Sequence, residues 1–130
     1  MTRRVSSGTD WEPVFGYSRA VAAGDYVFVS GCTSVDGAKL VHEGDAYAQT
    51  GQAISNVQAA LAGLGAELSD VVRTRMYVTD MSRSAEYGRA HGAAFGHIMP
   101  ATSMIGVAAL IDPRMLVEVE AVAYRPGIGS

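Results

Sequence analysis

The sequence predicts an α+β domain in which two helices cover one face of a β-sheet. Three observations predict it: a strand pair that reverses at Gly24-Asp25, two segments with apolar residues at helical spacing, and segments in which side chains alternate strictly. Strands, helix, strand, helix and strands in this order are typical of the class. With 130 residues, 48% of them hydrophobic, we expect one domain over residues 1–130 with one core.

The first half of the chain is expected to form a hairpin, a second reversal and a helix. Two β-prone stretches flank Gly24-Asp25, and Asp36-Gly37 predicts another tight turn at the end of the same long strand. Apolar side chains then recur at helical spacing over residues 46–64. Asp45 is the expected N-cap of that helix, and Gly65 is suited to terminate it.

The second half is expected to form a strand, a helix and two further strands. Residues 71–79 alternate as a strand, and a helix starts at Ser84 and ends before Pro100. Because glycine weakens a helix, a close backbone approach is the expected reason for three glycines spaced four apart in it: Gly88, Gly92 and Gly96. Residues 101–111 and 115–124 are the last two strand candidates, and the tail 126–130 is expected to be frayed.

The sheet face opposite the helices is expected to be apolar and uncovered. Two helices cover one face only, and a monomer would then expose a large apolar patch on the other. Self-association through this open face is the plainest physical solution, so we expect a homo-oligomer. The residues assigned to the open face are Val71, Tyr77, Leu116, Val122 and Tyr124.

Composition narrows the partners and the compartment. A net charge of -3 lacks the positive excess on which phosphate-backbone binding relies, so nucleic acid is an unlikely partner. A single cysteine, Cys32, cannot form an intramolecular disulfide, which favours a reducing compartment. Residues 1–11 lack the apolar core of a secretory signal, and no apolar run approaches a membrane span. We therefore expect a cytoplasmic protein without a membrane partner.

Common catalytic and cofactor motifs are absent from the sequence. The stretch from Gly16 to Ala20 approaches a nucleophile elbow, but it opens a strand and lacks the final glycine. His42, His91 and His97 are scattered without metal-ligand spacing, so we expect packed or solvated imidazoles and no metal. For Cys32 a buried small side chain is favoured over a reactive thiol, which would need a cation such as Arg19 nearby.

Glu118 and Glu120 are the most informative pair of residues. They occupy successive positions on one face of the last strand, among Leu, Val and Tyr side chains. Carboxylates among apolar residues are costly unless they have partners. Either they pair with Arg73 or Arg75 across the sheet, or one of them serves chemistry.

Five motifs in series resemble the Rid/YjgF family over most of the chain. The resemblance implies a chorismate-mutase-like domain with a mixed sheet, assembled as a homotrimer with clefts between subunits. It also implies hydrolysis of enamines or imines without metal or cofactor. The motifs are Tyr17 to Val21, Gly24 to Gly31, Asp70 to Val72 with Tyr77 to Met81, Pro100-Ala101, and Leu116 to Ala121.

The resemblance implies specific roles for residues of this chain. Glu118 would position the hydrolytic water, and Tyr17 would line the cleft. Thr102 stands where the family's deaminases have an arginine that holds a substrate carboxylate, which indicates a divergent branch. Arg19, on the same strand face as Tyr17, is a candidate substitute cation. The other candidates are Gly31 and Cys32 for binding, and Glu120 and Arg75 for support.

Three functions stay open at this point. The first is hydrolytic deamination of a reactive enamine, imine or related small metabolite in a cleft between subunits. The second is a module that binds a small metabolite without turnover, which the loss of the arginine favours. Ribonuclease activity ranks third because the chain has no basic stripe. Whether the protein is an enzyme therefore remains undecided from sequence.

Overall fold

The computed structural model describes residues 2–130, so Met1 of the 1–11 segment lies outside the described residues. The strands are β1 (Thr2–Val5), β2 (Ala20–Ala23), β3 (Tyr26–Cys32), β4 (Val35–Asp36), β5 (Lys39–Leu40), β6 (Val71–Val78), β7 (Ala101–Gly106) and β8 (Val117–Tyr124). The helices are α1 (Trp11–Phe15), α2 (Ala46–Ala62) and α3 (Ser84–Phe95), with short 3-10 turns at Leu68–Asp70 and Met81–Arg83.

A mixed six-stranded sheet with the order β1-β2-β3-β8-β6-β7 forms the centre of the molecule. All neighbours pair antiparallel except β6 and β7, which are parallel and joined through α3. The hairpin at Gly24-Asp25 is confirmed as the β2–β3 turn. The reversal at Asp36-Gly37 is also present, but β4 and β5 form a separate two-stranded sheet instead of prolonging β3.

Helices α2 and α3 pack on one face of the sheet and build the core. Asp45 caps α2 by accepting a hydrogen bond from the Ala48 amide, as expected, and Gly65 reverses the chain three residues after the helix ends. Alternate residues of β8 face these helices, since Val117, Val119, Ala121 and Ala123 are all buried. The predicted α+β arrangement with two helices on one face is confirmed.

Three predicted details of the strands and the tail are wrong. The register of β6 on β8 shifts between Val71 and Arg73, so Val71 packs in the core and Val72 is exposed. Beyond Gly106 no strand residue of β6 remains to pair with, so 107–111 leaves the sheet as a loop. The tail is docked: Ile128 is buried, and its carbonyl accepts a hydrogen bond from Arg3 Nη1 at 2.8 Å.

The helix glycines do not meet the expected close approach. Within the described chain, an added Cβ on Gly88 or Gly92 would have no neighbour inside 4 Å, and both positions are exposed. An added Cβ on Gly96, which directly follows α3, would lie 2.6 Å from the Gly92 carbonyl oxygen of the preceding helical turn. The glycines therefore mark an exposed stripe of α3.

The N-terminal segment contributes two elements that the sequence pattern did not reveal. Strand β1 adds an edge to the sheet by pairing with β2, and α1 follows it as a helix of five residues. Neither element is long enough to show a period, and β1 contains Arg3 and Arg4. Among residues 2–130, no helix combines the length and apolar character needed to cross a membrane.

The open face of the sheet carries aromatic side chains at one end and carboxylates at the other. Tyr26 and Tyr124 are cross-strand partners whose ring centroids lie 5.2 Å apart, and Phe28 lies beside Tyr26. All three rings are more than two-fifths exposed. Glu118 and Glu120 extend the same face of β8. The assignment of Leu116 to this face is wrong, because this residue, which directly precedes β8, is half-buried against the core.

Candidate active site

An irregularity in β3 shapes the candidate site. The register of β3 on β8 shifts between Val29 and Cys32, so Ser30 and Gly31 form a bulge. This bulge lies opposite the part of β8 that carries the two glutamates. A Cβ on Gly31 would lie 2.8 Å from Cγ of Glu118 and would overlap its carboxylate. Only glycine allows the backbone and this carboxylate to approach so closely.

Arg19 holds the bulge from below. Its Nη1 donates to the carbonyl oxygens of Gly31 at 2.7 Å and of Ser30 at 3.3 Å, and its Nη2 donates to the Tyr17 hydroxyl at 3.3 Å. The guanidinium is nine-tenths buried, with a carboxylate oxygen of Glu12 3.9 Å from Nε. A buried cation needs such partners, so most of the hydrogen-bonding capacity of Arg19 is used inside the protein.

Glu12 ties the N-terminal segment to this centre. One carboxylate oxygen accepts hydrogen bonds from the Ser7 amide and the Thr9 hydroxyl, at 3.1 and 3.0 Å, and from the Ser7 hydroxyl. Burial raises the pKa of this carboxyl, but hydrogen bonds from the serine and threonine hydroxyls and from the amide outweigh burial and lower it to about 2. An ionised Glu12 therefore holds segment 7–11 over the site.

Glu118 is a cavity carboxyl with no hydrogen-bonded partner among residues 2–130. It is partly buried beside the bulge, and within residues 2–130 no hydrogen bond contributes to its ionisation. Burial raises the pKa of the Glu118 carboxyl and the nearby Glu120 raises it further, against a lowering by Arg19. A raised pKa at a carboxyl that faces a cavity marks a candidate for proton transfer.

Glu120 differs from Glu118 because it has partners on the open face. The Tyr77 hydroxyl donates to Glu120 Oε1 at 2.7 Å, and Arg75 Nη1 lies 3.5 Å from the same oxygen. The hydrogen bond to Glu120 is the main cause of a raised Tyr77 pKa. Of the two predicted partners, Arg75 reaches Glu120, whereas Arg73 donates to the Ser103 hydroxyl instead. Of the two alternatives for this pair, pairing with an arginine across the sheet applies to Glu120, and the chemical role is left for Glu118.

A cavity of about 600 Å³ brings most of the predicted site residues together. A smaller cavity of about 300 Å³ is also lined by Glu118 and Glu120, together with Tyr77. The predicted residues that line the larger cavity are Tyr17, Arg19, Gly31, Cys32, Glu118 and Glu120.

Thr102 and Arg75 do not line the larger cavity of the single chain. The Thr102 hydroxyl is 2.8 Å from the Thr74 hydroxyl, which in turn is 2.8 Å from His91 Nε2 on α3. Thr102 therefore lies on the helix side of the edge strand β7, whereas Glu118 lies on the open side of β8. The binding role suggested for Thr102 stays a prediction.

Cys32 lies at the floor of the cavity as a thiol. It is buried, its Sγ accepts from Arg19 Nη1 at 3.5 Å, and its thiol donates to the Ser30 carbonyl at 3.4 Å. Burial raises the Cys32 pKa, although the Arg19 charge opposes the effect. The neutral thiol fits the interpretation of a packed small side chain.

Sequence reasoning missed the roof and the apolar wall of the cavity. Trp11 and Phe15 of α1 form the roof, and the loop after β7 contributes the wall with Leu110 and Ile111. Nothing local marks these residues, because each comes from a segment that reaches the cavity only in the folded chain. The polar run before Glu12 was the one available signal, since an acidic residue after Ser and Thr is typical of a helix start.

The described residues 2–130 contain no group of three or more His, Cys, Asp or Glu side chains arranged to hold a metal ion. His91 packs its ring 4.7 Å from the Phe95 ring, and burial lowers its pKa. Nε2 of this imidazole shares a hydrogen bond with the Thr74 hydroxyl on the helix side, away from the cavity.

Comparison with known proteins gives consistent results along the whole chain. The family model described as endoribonuclease L-PSP matches residues 8–125. An uncharacterised protein of Streptomyces coelicolor is 43% identical over 128 residues, covering 98% of this chain and 96% of that protein. A 3-aminoacrylate deaminase, RutC, of Acinetobacter baylyi is 29% identical over 113 residues, covering 86% of this chain and 89% of that one.

A solved structure confirms the fold class. The crystal structure of a member of the YjgF/YER057c/UK114 family from Mycobacterium tuberculosis is similar with a TM-score of 0.87 and 49% identity. The match covers 95% of this chain and 99% of that chain. The mixed sheet with helices is therefore shared with this group of structures.

We predict that Glu12→Gln lowers the free energy of unfolding at pH 7 by about 2 kcal/mol, because the amide loses charge-assisted hydrogen bonds. The pKa of Glu12 falls from an ordinary 4.5 to about 2 on folding, so its stabilisation is complete above 4.5 and is lost as pH falls towards 2. Urea unfolding at pH 7 and pH 3 measures the difference, with exposed Glu43→Gln as control. An equal difference in the free energy of unfolding between wild type and Glu12→Gln at both pH values would contradict this role.

We predict that Gly31→Ala moves the Glu118 carboxylate while leaving the free energy of unfolding within about 1 kcal/mol of wild type. The added methyl group meets the end of a flexible side chain, which rotates away at little cost. A crystal structure of the variant measures the displacement. Gly51→Ala in α2 is the matched control, since its methyl group meets no atom within 4 Å. An unmoved carboxylate in Gly31→Ala would show that the contact does not confine Glu118.

Proposed function

The chain belongs to the endoribonuclease L-PSP family, and we propose that this member hydrolyses a small reactive enamine or imine to a carbonyl compound and ammonia. The observation that carries the proposal is Glu118: a partly buried carboxyl with a raised pKa, beside a cavity and without a hydrogen-bond donor in residues 2–130. The family also includes a protein named 3-aminoacrylate deaminase, which supports a deaminase or small-molecule role at a coarse level.

The proposed reaction uses one carboxyl group and one water. The Glu118 carboxylate accepts a proton from water as the water oxygen bonds to the imine carbon, and it passes this proton to the imine nitrogen. In the resulting carbinolamine the hydroxyl proton moves to the nitrogen through the Glu118 carboxyl as the C–N bond breaks, which releases ammonia and leaves the carbonyl product. An enamine first accepts a proton at carbon from the neutral Glu118 carboxyl and becomes the iminium ion, whose nitrogen already carries its proton. The Glu118 carboxylate left behind then accepts the proton of the attacking water.

The neighbours of Glu118 supply orientation. Tyr17, whose hydroxyl receives a hydrogen bond from Arg19, lines the cavity and presents a polar tip to a ligand. The Glu120 carboxylate, held by Tyr77, keeps a negative charge near Glu118 and so favours its protonated form. Because free imines already react with water, positioning and one proton transfer are sufficient help.

We propose that three copies assemble through the open face. The exposed rings of Tyr26, Phe28 and Tyr124 form an apolar patch on that face, and burying them against another copy removes its cost. A neighbouring copy would then cover the part of β8 that carries Glu118 and Glu120, and it would close the cavity. In such an assembly Thr102 of one copy can approach the cavity of another, which the single chain does not allow.

A binding module without turnover is the second candidate. The specific observation that favours it is Thr102: its hydroxyl is already engaged with Thr74 and with the Pro100 carbonyl. An arginine would bind a ligand carboxylate through charge-assisted hydrogen bonds. The Thr102 hydroxyl offers only a weaker, neutral hydrogen bond, and it already has partners. A ligand would be held in the same cavity, next to the same carboxyl groups, without being hydrolysed.

Ribonuclease activity ranks below both candidates despite the family's description. The net charge is -3, and arginines at three places on the surface pair with carboxylates of their own chain. These pairs are Arg83 with Glu86, Arg114 with Asp112, and Arg125 with Asp70.

We predict that Glu118→Gln lowers kcat/KM for imine hydrolysis by about 100-fold, because the amide neither accepts nor donates the proton. Imines are generated in place by an amine oxidase or an amino-acid oxidase, and those that survive are trapped with semicarbazide. The rate at which the enzyme diverts the imine from the trap gives kcat/KM. Glu43→Gln, an exposed glutamate outside the cavity, is the matched control and is expected to equal wild type.

The same assay separates the two candidate functions. Turnover by wild type that Glu118→Gln loses supports hydrolysis. Turnover of imino acids by Thr102→Arg alone would remove the deaminase proposal for imino acids while keeping the scaffold. Equal turnover by wild type and Glu118→Gln would remove Glu118 from the reaction.

A further inference from the structure

The cavity at Glu118 continues into a second one. A neighbouring cavity of about 470 Å³ shares residues with the first, among them Thr9, Trp11, Val35 and Met115. The shared residues belong to segment 7–11 above and to the β4 region and the end of the 107–115 loop below. The two cavities therefore form one groove that starts at the carboxyl groups and runs beneath segment 7–11.

The groove is larger than a two- or three-carbon imine requires. Sites of roughly 300 to 1,000 Å³ take ligands of drug size, and the first cavity alone lies within that range at about 600 Å³. Apolar side chains that face it are unusually exposed for their type: Phe15 by 61%, Ile111 by 60% and Trp11 by 37%. A ligand with an apolar group would cover these side chains.

The charges along the groove disfavour an anionic ligand. Two arginines line it, and both are occupied: Arg19 by backbone carbonyls, Tyr17 and Glu12, and Arg114 by two hydrogen bonds to Asp112. Within the described residues, the groove thus offers no uncommitted cation. At its reactive end a ligand carboxylate would instead meet Glu118 and Glu120, and like charges at short range repel.

We infer that the ligand of this groove is an uncharged imine or enamine, or the derived carbonyl compound, with a bulky apolar group, preferably aromatic, under segment 7–11. The inference rests on the proposed function for the reacting group, but the ligand's shape and charge come from the groove. The reactive carbon lies at Glu118, and the apolar group lies between the Trp11 and Phe15 roof and the Leu110 and Ile111 wall.

Trp11 makes the inference directly measurable. It is the single tryptophan of the chain and forms part of the roof of the groove, so its fluorescence reports occupancy whether or not turnover follows. The probes are 4-phenylbutan-2-one and 2-oxo-4-phenylbutanoate, in which a carboxylate replaces the methyl group, with pyruvate as the probe that lacks the aryl group. We expect saturable binding of the ketone, at least tenfold tighter than the oxo acid, and no saturation with pyruvate.

A charge placed in the apolar wall provides a second, independent test. Ile111→Lys introduces a cation at an exposed wall position, so it is expected to improve the affinity for 2-oxo-4-phenylbutanoate at least tenfold relative to the ketone. Val72→Lys adds the same charge at an exposed position of β6 that lines neither cavity, and it is expected to leave the preference unchanged. The thermal unfolding of both variants confirms that each one folds.

The outcomes distinguish the inference from the proposed function. An oxo acid that binds wild type as tightly as the ketone, or pyruvate that binds as tightly as the aryl oxo acid, overturns the inference. Absence of a fluorescence change with every probe also overturns it, as when a second copy of the chain fills the groove. Ketone binding without hydrolysis of any imine upholds the ligand class and removes the proposed reaction. Rapid hydrolysis of a small imino acid without ketone binding upholds the proposed reaction and removes the inferred ligand class.

Discussion

The buried guanidinium of Arg19 is the interaction on which the site depends. It joins the β3 bulge, through the carbonyls of Ser30 and Gly31, to the Tyr17 hydroxyl, and it lies within ion-pair distance of Glu12. A charge that is nine-tenths buried is tolerated only if its partners stay in place, so these segments have little freedom relative to one another. Through the bulge the constraint reaches Glu118, because Gly31 lies directly against its carboxylate.

The side chains of strand β8 alternate between the core, where they stabilise the fold, and the open face, where they form the candidate site. Val117, Val119 and their successors of the same parity fill the core beneath α2 and α3, while Glu118 and Glu120 face the other way. Substitution on the open face therefore changes the site without opening the core. The two glutamates then differ because of their neighbours: Glu120 receives the Tyr77 hydroxyl, whereas Glu118 faces the bulge and the cavity. Burial beside the bulge and the nearby charge of Glu120 raise the pKa of Glu118 in this way.

Periodicity predicted the elements that are long enough to display it. Helices α2 and α3 and strands β6 and β8 were identified from apolar spacing, and the hairpin from Gly24-Asp25. Short elements such as β1 and α1 carry no period, and the shift that buries Val71 depends on pairing with β8. In the site, the carboxylate pair was found because alternation places both on an apolar strand face. Glu12 and the apolar wall were missed because their proximity to the cavity arises only from tertiary contacts, as does the docking of Ile128 against Arg3.

The central claim is that Glu118 is a partly buried carboxyl without a hydrogen-bond partner in residues 2–130, whose raised pKa suits it to proton transfer with a bound ligand. Carbon-detected NMR titration of protein labelled at the glutamate carboxyl carbons measures this acidity residue by residue, with Glu118→Gln identifying the signal. The account predicts a Glu118 pKa above the ordinary glutamate value of 4.5. A pKa at or below that value would mean that water or a cation stabilises the carboxylate, and it would contradict the account.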